Sequence, residues 1–399
     1  MIGTRGVPAR YGGFETCVEE VGQRLVAAGH QVQVFCRVPD GTRAADQPRT
    51  YKGMDLVHLP VVRRRTLETL SHTALSVHHR SLSAADCAIV FNAANAPLLP
   101  VLRARNIPVA THVDGLEWRR TKWSGAGRRY YRGVEALAVR WSDALIADAE
   151  GISDYYRTEF GADTELIAYG APILEAPGSD RLAELGLTSR GYHLVVARFE
   201  PENHVLEIVQ GYTASKASLP LVVVGSAPYA DTYTARVEAA SDDRVKLLGG
   251  VWDQEQLDQL YANALTYVHG HSVGGTNPSL LRAAGAGAYT IAYDCVFNRE
   301  VLDGGGDYFR DPTDVARLVV SAEQRPEEAI SLGALSRESV RRYDWDDVAR
   351  SYERLCRSLV RQRAAVRPSG RRVGQWVDEP SRIPELVERV PAPSPARRG

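Results

Sequence analysis

The stretch TYVHGHSVGGTNPSLLR, residues 266–282, joins a short apolar run to a glycine-rich turn and the start of a helix. Residues 266–269 predict a strand, and Asn277 before Pro278 predicts a capped helix start. This order of strand, turn and helix is typical of one β–α unit in a parallel sheet. The turn can also form an anion and sugar cradle, although an ordinary capped helix start has the same pattern. The residues expected to line such a cradle are Gly274, Gly275, Thr276 and Asn277.

The same alternation of apolar runs and helical patterns extends along the chain on both sides of this stretch. It predicts a mostly parallel sheet in each half, with residues 171–186 as the hinge because Pro172, Pro177 and Gly178 interrupt regular structure there. A length of 399 residues suits two domains. The predicted strands are 31–37, 88–91, 108–111, 144–147, 193–197, 219–224, 245–248, 266–269 and 288–292.

The composition excludes several classes of protein. Lys and Arg number 48 against 49 Asp and Glu, and a formal net charge of −1 argues against a general nucleic-acid binder. The five cysteines are scattered without a CxxC pair, so neither a disulfide framework nor a zinc ribbon is expected. No apolar run is long enough for a membrane span, and the N-terminus lacks the apolar core of a secretory signal. These features predict a cytoplasmic protein.

The sequence begins with a second glycine-rich turn, GTRGVPARYGGFET, at residues 3–16. Because it leads into an apolar helix pattern at 15–28, Gly12 and Gly13 are candidates for contact with a phosphate. Its spacing fits neither the dinucleotide fingerprint nor the P-loop, and tight packing is the alternative explanation. Only two residues precede it, so either the first strand is very short or the true start lies upstream.

Three further segments carry candidate functional side chains. In THVDGLEW, residues 111–118, His112 could act as a base or orient a hydroxyl, although a lone histidine is more often structural. Asp114 or Glu117 in the same segment could hold sugar hydroxyls. In ARFEPEN, residues 197–203, Arg198 follows a predicted strand and could bind a diphosphate or form a structural salt bridge. The histidines at 269 and 271 lack a metal-ligand pattern, so no metal is expected.

The segment WRRTKWSGAGRRYYRG, residues 118–133, mixes basic and aromatic side chains. Such a mixture suits an anionic membrane surface or a lipid pyrophosphate, and a solvated helix face is an equally good explanation. The candidate acceptor or membrane-facing residues are Arg119, Arg120, Lys122, Trp123, Arg128 and Arg129.

Taken together, these motifs resemble the family 4 glycosyltransferases, and more narrowly a subgroup of bacterial rhamnosyltransferase-like enzymes of surface polysaccharide assembly. The resemblance implies an α/β fold of the GT-B type, in which two Rossmann-like, doubly wound domains face a cleft. It implies an acceptor domain at 1–172, a donor domain at 173–343, a helix at 344–362 that crosses back to the first domain, and a disordered basic tail at 363–399. The motifs that carry it are GTRGVPARYGGFET (3–16), HVDGLEW (112–118), ARFEPEN (197–203), HSVGGTNPSLL (271–281) and FNREVL (297–302).

The resemblance also implies roles for the candidate residues. Gly12 and Gly13 would lie against the donor phosphates, His112 would face the reaction centre, and Arg198 would bind the donor diphosphate. The amides of the turn at 274–277 would meet the transferred sugar and its phosphate. Such enzymes retain the anomeric configuration and usually need neither metal nor cofactor.

Two departures from the family pattern affect these roles. Asn203 stands where the family has a lysine, and Gly274 and Arg282 stand where it has two glutamates. The second glutamate usually holds the nucleotide ribose, and an arginine cannot accept those hydrogen bonds. Another acid, such as Glu300, would then have to serve.

The sequence thus suggests a retaining glycosyltransferase at the inner membrane face. It would move a sugar, with rhamnose as a candidate, from a nucleoside diphosphate donor to a lipid-linked or growing cell-surface glycan. The alternatives are a sugar-nucleotide 2-epimerase of the same fold and a non-catalytic nucleotide-sugar-binding protein.

Overall fold

The computed structural model describes residues 1–9, 12–62, 67–113, 115–120, 123, 125–225 and 231–365. The sheets are built largely from short, buried runs of Val, Ile, Leu and Ala, the composition expected of parallel strands covered on both faces. They divide between two α/β domains, which confirms the predicted fold class.

In the part of the first domain that the structure describes, there are seven strands and five α-helices. The strands are β1 (Gln33–Arg37), β2 (Thr50–Tyr51), β3 (Met54–Leu59), β4 (Ala88–Phe91), β5 (Val109–His112), β6 (Ala144–Ala147) and β7 (Glu165–Leu166). The helices are α1 (Gly13–Ala27), α2 (Glu68–His78), α3 (Leu99–Ala104), α4 (Gly125–Trp141) and α5 (Glu150–Phe160).

Residues 1–2 join the strands of this domain. The strands pair in the orders β1-β3-β2 and β4-β5-β6-β7. Between them, the amide of Phe35 donates to the carbonyl of Met1 at 3.1 Å, and the amide of Phe91 donates to the carbonyl of Ile2 at 2.8 Å. From residues 1–2, the strands extend to one side through β1 and to the opposite side through β4. The direction of winding therefore changes at Ile2.

The described residues of the second domain form six strands in the order β10-β9-β8-β11-β12-β13, all parallel. The strands are β8 (His193–Val196), β9 (Leu221–Val224), β10 (Val245–Gly249), β11 (Thr266–His269), β12 (Tyr289–Tyr293) and β13 (Gly306–Phe309). The helices are α6 (Val205–Ala214), α7 (Asp231–Ala240), α8 (Gln254–Asn263), α9 (Pro278–Gly285), α10 (Val296–Leu302), α11 (Pro312–Gln324) and α12 (Pro326–Ser339). Winding reverses between β8 and β11, where doubly wound sheets bind their ligands.

The last helix, α13 (Trp345–Ala365), packs against α1 of the first domain. Arg24 donates to Asp346 at 2.6 Å, and His30 lies 2.9 Å from Glu353. Near the start of the helix, the indole of Trp345 covers Gly170, where a Cβ atom would come within 2.4 Å of the ring. The tail at 363–399, expected to be disordered, lies almost entirely outside the described residues. Among the helices that the structure describes, none is both long and apolar enough to cross a membrane.

Candidate active site

A cleft of about 1230 Å³ separates the two domains. Its second-domain wall is formed by the loops that follow β8, β9, β10 and β11, together with the start of α9. Its first-domain wall is formed by the start of α1 and by residues 170–173. The cleft therefore lies over the carboxyl ends of β8 and β11, at the reversal in winding of the second sheet. Of the residues proposed from the sequence, six line it: Gly12, Gly13, Arg198, Asn203, Asn277 and Arg282.

Arg198 lies in the loop that follows β8, as the sequence predicts. Its side chain is 48% exposed, and Nη2 lies 3.7 Å from Oε2 of Glu200. A guanidinium with one distant carboxylate partner and nearly half its surface in the cleft retains N–H groups for an anion.

Asn203 links the two loops on either side of the winding reversal. Its Nδ2 donates to the carbonyl of Arg198 at 2.8 Å, and its Oδ1 lies 2.8 Å from Nδ1 of His271. Burial, together with the nearby His269, Arg120 and Arg198, lowers the pKa of His271 well below its usual value. The neutral ring therefore donates Nδ1–H to Asn203, and this asparagine positions the loop that carries Arg198.

The start of α9 points into the cleft. The Oδ1 of Asn277 accepts from the amide of Ser279 at 2.9 Å and caps the helix, and Pro278 occupies its first position. The helix N-terminus adds partial positive charge to the same wall as Arg198. A guanidinium and a helix N-terminus therefore both line the second-domain wall of the cleft.

The glycine turn before α9 is buried against the first domain rather than open to the cleft. A Cβ atom on Gly275 would come within 1.7 Å of Oδ1 of Asp148. The hydroxyl of Thr276 donates to the carbonyl of Asp148 at 2.5 Å. A Cβ atom on Gly115 would come within 2.9 Å of the backbone of Gly274. The turn is therefore a contact between domains, and sequence reasoning missed Asp148.

Gly13 is a second close contact between the domains. A Cβ atom there would come within 3.0 Å of the Tyr169 ring and 3.2 Å of Pro278. Gly12 precedes it with a positive φ of 83°, a conformation that favours glycine. The two glycines let the first turn of α1 approach the start of α9.

His112 does not line the cleft, contrary to the expectation that it faces a reaction centre. The ring is fully buried and stacks between Phe91 and Tyr169, with centroid distances of 5.5 and 5.8 Å. Neither ring nitrogen has a well-aligned hydrogen-bond partner among the described residues, and burial lowers its pKa to about 3. It lies behind Tyr169, which packs against Gly13. Asp114, the second proposed catalytic residue, lies outside the described residues.

Two proposed donor contacts make other interactions. Arg282 lines the cleft, but it forms an ion pair with Asp258 of α8. Glu300 does not line the cleft, because its Oε1 accepts from the amide of Glu150 at 2.9 Å and caps α5 of the first domain. In this arrangement one oxygen of Glu300 serves as a helix cap, and a contact of Glu300 with a ribose stays a prediction.

The basic and aromatic residues of the segment 118–133 lie in two different environments. Arg120 is not a surface residue: its side chain is 14% exposed and lies 3.2 Å from Glu202 of the second domain. Trp123 donates to Glu117 at 3.3 Å, and Arg119 lies over the Trp118 ring. The exposed members lie on α4, where they are accessible to a partner: Arg128 and Arg129. Lys122 lies outside the described residues.

Sequence reasoning did not assign two residues that line the cleft, His269 and Trp252. His269 ends β11 at the winding reversal, a position that the strand pattern could have identified. Trp252 is 60% exposed and its indole lies over Gly250, where a Cβ atom would come within 2.5 Å. Among the described residues, no cluster of His, Cys, Asp or Glu could hold a metal ion.

Two sequence families match this chain in succession. Residues 12–170 match the family described as "Glycosyl transferase 4-like domain", and residues 184–333 match "Glycosyl transferases group 1". Together they cover most of the chain, one on each side of the cleft. No curated protein sequence matches it significantly.

Solved glycosyltransferase structures share the fold. Sucrose-phosphate synthase from Thermosynechococcus elongatus is 20% identical with a TM-score of 0.74, over 88% of this chain and 94% of that one. Anabaena HepE in complex with UDP-glucose is 14% identical with a TM-score of 0.69, over 88% and 98%. E. coli trehalose-6-phosphate synthase bound with UDP-2-fluoro glucose is 12% identical with a TM-score of 0.65, over 90% and 98%.

Proposed function

Because the chain belongs to the glycosyltransferases of GT-B architecture, we propose that it transfers a sugar from a nucleoside diphosphate donor bound in the second-domain wall of the cleft. The observation that carries this proposal is the position of Arg198, half exposed beside the start of α9 and at the winding reversal. An anionic diphosphate suits that end of the cleft because a guanidinium and a helix N-terminus converge on it.

The structural neighbours support the choice of donor. HepE binds UDP-glucose, and the trehalose-6-phosphate synthase binds a fluorinated UDP-glucose. In this chain, Trp252 offers an exposed indole on the second-domain wall, which Leu257 and Arg282 also line. We place the diphosphate at Arg198 and the nucleoside toward Trp252.

The proposed reaction retains the anomeric configuration. The bond between the anomeric carbon and the diphosphate oxygen breaks, and the acceptor oxygen bonds to that carbon on the face the diphosphate leaves. The departing diphosphate takes the proton of the acceptor hydroxyl. Arg198 and the helix N-terminus stabilise the negative charge that develops on the leaving group. No metal is invoked, because these groups supply the positive charge.

His112 retains a proposed role near the transferred sugar. Its two buried nitrogens lack aligned partners among the described residues, so a sugar hydroxyl that reached the ring would satisfy one of them. Such contact requires Tyr169 or Gly13 to move relative to His112 within the first domain.

We propose a lipid-linked or growing cell-surface glycan as acceptor and rhamnose as the candidate sugar. The first domain supports an acceptor at an anionic membrane, because α4 exposes Arg128, Arg129 and Arg132 beside the half-exposed ring of Tyr130. Basic groups next to an aromatic ring suit the interface of an anionic bilayer. Cosedimentation with vesicles of phosphatidylglycerol, compared with phosphatidylcholine, tests this surface.

A donor screen tests the main proposal. UDP-, dTDP-, GDP- and ADP-sugars are added singly, and a donor that binds raises the melting temperature by mass action. Product analysis with that donor alone would reveal a 2-epimerase, and binding without turnover across an acceptor panel would indicate a non-catalytic protein. Failure of every nucleotide sugar to bind would overturn the proposal.

A further inference from the structure

His269 occupies the floor of the cleft at the winding reversal. It is the last residue of β11, the strand that neighbours β8, and its side chain lines the cleft although the residue is only 4% exposed. Its Nε2 has no hydrogen-bond partner among the described residues. A buried polar atom at a ligand-binding edge without a protein partner costs free energy unless a ligand or water satisfies it.

The other nitrogen of this ring, Nδ1, contacts a chain of three hydroxyl groups. Nδ1 of His269 lies 3.0 Å from the hydroxyl of Tyr267, which lies 2.8 Å from the hydroxyl of Ser279. The Ser279 hydroxyl lies 2.6 Å from that of Tyr261. Alternative contacts of Ser279 and Tyr267 with the carbonyl of Val196 are longer, at 3.2 and 3.4 Å.

Burial keeps the ring of His269 and both phenols of this chain neutral. Burial lowers the pKa of His269 to about 3, so the ring is neutral and carries a single N–H. Burial raises the pKa of Tyr261 to about 12 and that of Tyr267 well above 10, so both keep their protons. Neutral groups allow this chain to run in either direction. In one of them, Tyr261 donates to Ser279, Ser279 to Tyr267, and Tyr267 to Nδ1 of His269. In that direction the ring proton resides on Nε2, the nitrogen that has no partner among the described residues.

We infer that His269 is a donor-binding residue, which gives its Nε2–H to an oxygen of the nucleoside diphosphate, while Tyr267 and Ser279 act as positioning residues. This inference rests on the proposed function. Arg198 and the start of α9 line the same cleft as His269, so an anionic oxygen is the partner that this N–H would meet. A neutral donor there adds a hydrogen bond without a further charge to desolvate.

Calorimetric titration of histidine variants tests the inference. The ligand is whichever of UDP, dTDP, GDP and ADP binds wild type most tightly, together with its parent nucleoside. His269→Leu should weaken diphosphate binding about tenfold or more, the effect of losing a hydrogen bond to a charged group, and should leave nucleoside binding unchanged. His269→Gln, whose amide reaches the same place, should restore much of the loss. Equal binding of the diphosphate by wild type and His269→Leu would overturn the inference.

A matched control separates this role from damage to the fold. His193 is also buried in the same sheet, but it lies at the amino end of β8, with its nitrogens 2.8 Å from Thr266 and 3.1 Å from Glu323. His193→Leu should lower the free energy of unfolding and leave diphosphate binding unchanged.

Nitrogen-15 spectra of the histidine rings provide a second readout, which holds even if His269→Leu fails to fold. In the wild-type complex, Nε2 of His269 should carry the proton and shift when the diphosphate binds. In Tyr267→Phe, the ring of His269 should no longer be held in a single tautomer. A complex in which Nε2 is unprotonated would overturn the inference, whereas wild type that binds no nucleotide would overturn the proposed function as well.

Discussion

Arg120 of the first domain lies 3.2 Å from Glu202 of the second, and both side chains are largely buried. The same guanidinium lies 2.6 Å from Glu117 and 3.4 Å from Glu200. Glu200 in turn lies 3.7 Å from Arg198, the proposed diphosphate ligand. A single buried cation therefore holds carboxylates of both domains together next to the donor end of the cleft.

Replacement of Arg120 should loosen this contact. Arg120→Gln leaves the buried carboxylates without this counter-charge, and loss of one partner of a buried ion pair typically costs about 3–5 kcal/mol. We expect a lower free energy of unfolding by chemical denaturation and a larger radius of gyration by X-ray scattering, because the domains separate. Arg132→Gln removes a half-exposed pair with Glu159 inside the first domain and should cost less than about 1 kcal/mol. An unchanged radius for Arg120→Gln would contradict the account of this contact.

Gly275 should tolerate no side chain while the domains touch. In Gly275→Ala, the new Cβ atom would meet the buried carboxylate of Asp148, so we expect lower turnover together with a wider separation of the domains. The double variant Gly275→Ala with Asp148→Ala removes the obstructing group and should recover part of the domain contact. In Gly133→Ala, nothing lies within 4 Å of the new Cβ atom, so turnover should not change. Normal turnover in Gly275→Ala would show that the close contact between Gly275 and Asp148 is dispensable.

Most of the fold follows from local sequence patterns. The predicted strands at 88–91, 144–147 and 266–269 occur at those residues, since each is a short apolar run that a parallel sheet buries on both faces. The strand at 54–59 was missed because Asp55 and His58 interrupt its apolar pattern, and β13 (Gly306–Phe309) was missed because Gly306 and Asp307 disfavour a strand. These two strands form because they pair with β1 and β12, and not because their own residues favour a strand.

The site was predicted less completely, because its geometry depends on contacts between domains. Residues that follow strands, such as Arg198 and Asn203, could be placed at the cleft from the parallel-sheet rule alone. The burial of Arg120 against Glu202 and the cap that Glu300 provides to α5 join residues far apart in the chain. No local pattern in the sequence indicates such a contact.

Burial of His72 should make the protein sensitive to acid. The ring is fully buried in α2, and burial with the nearby Arg37 lowers its pKa from 6.5 to about 4. The unfolded state therefore binds the proton more readily, so stability is lost as the pH falls from 6.5 toward 4. In His72→Leu, the slope of unfolding free energy against pH in this range should decrease by up to about 1.4 kcal/mol per pH unit. An unchanged slope would mean that His72 titrates normally in the folded protein.

Titration of nucleoside diphosphates into wild type and Arg198→Gln tests the central claim most directly, with Arg317→Gln as control because that exposed residue pairs with Asp314 on α11. Wild type and the control should bind at least one of UDP, dTDP, GDP and ADP at a single site. Arg198→Gln should bind it about tenfold to a hundredfold more weakly, since a charge-assisted contact with the diphosphate is lost. Equal affinity in Arg198→Gln, or no binding of any of these nucleotides to wild type, would contradict a donor site at the carboxyl ends of β8 and β11.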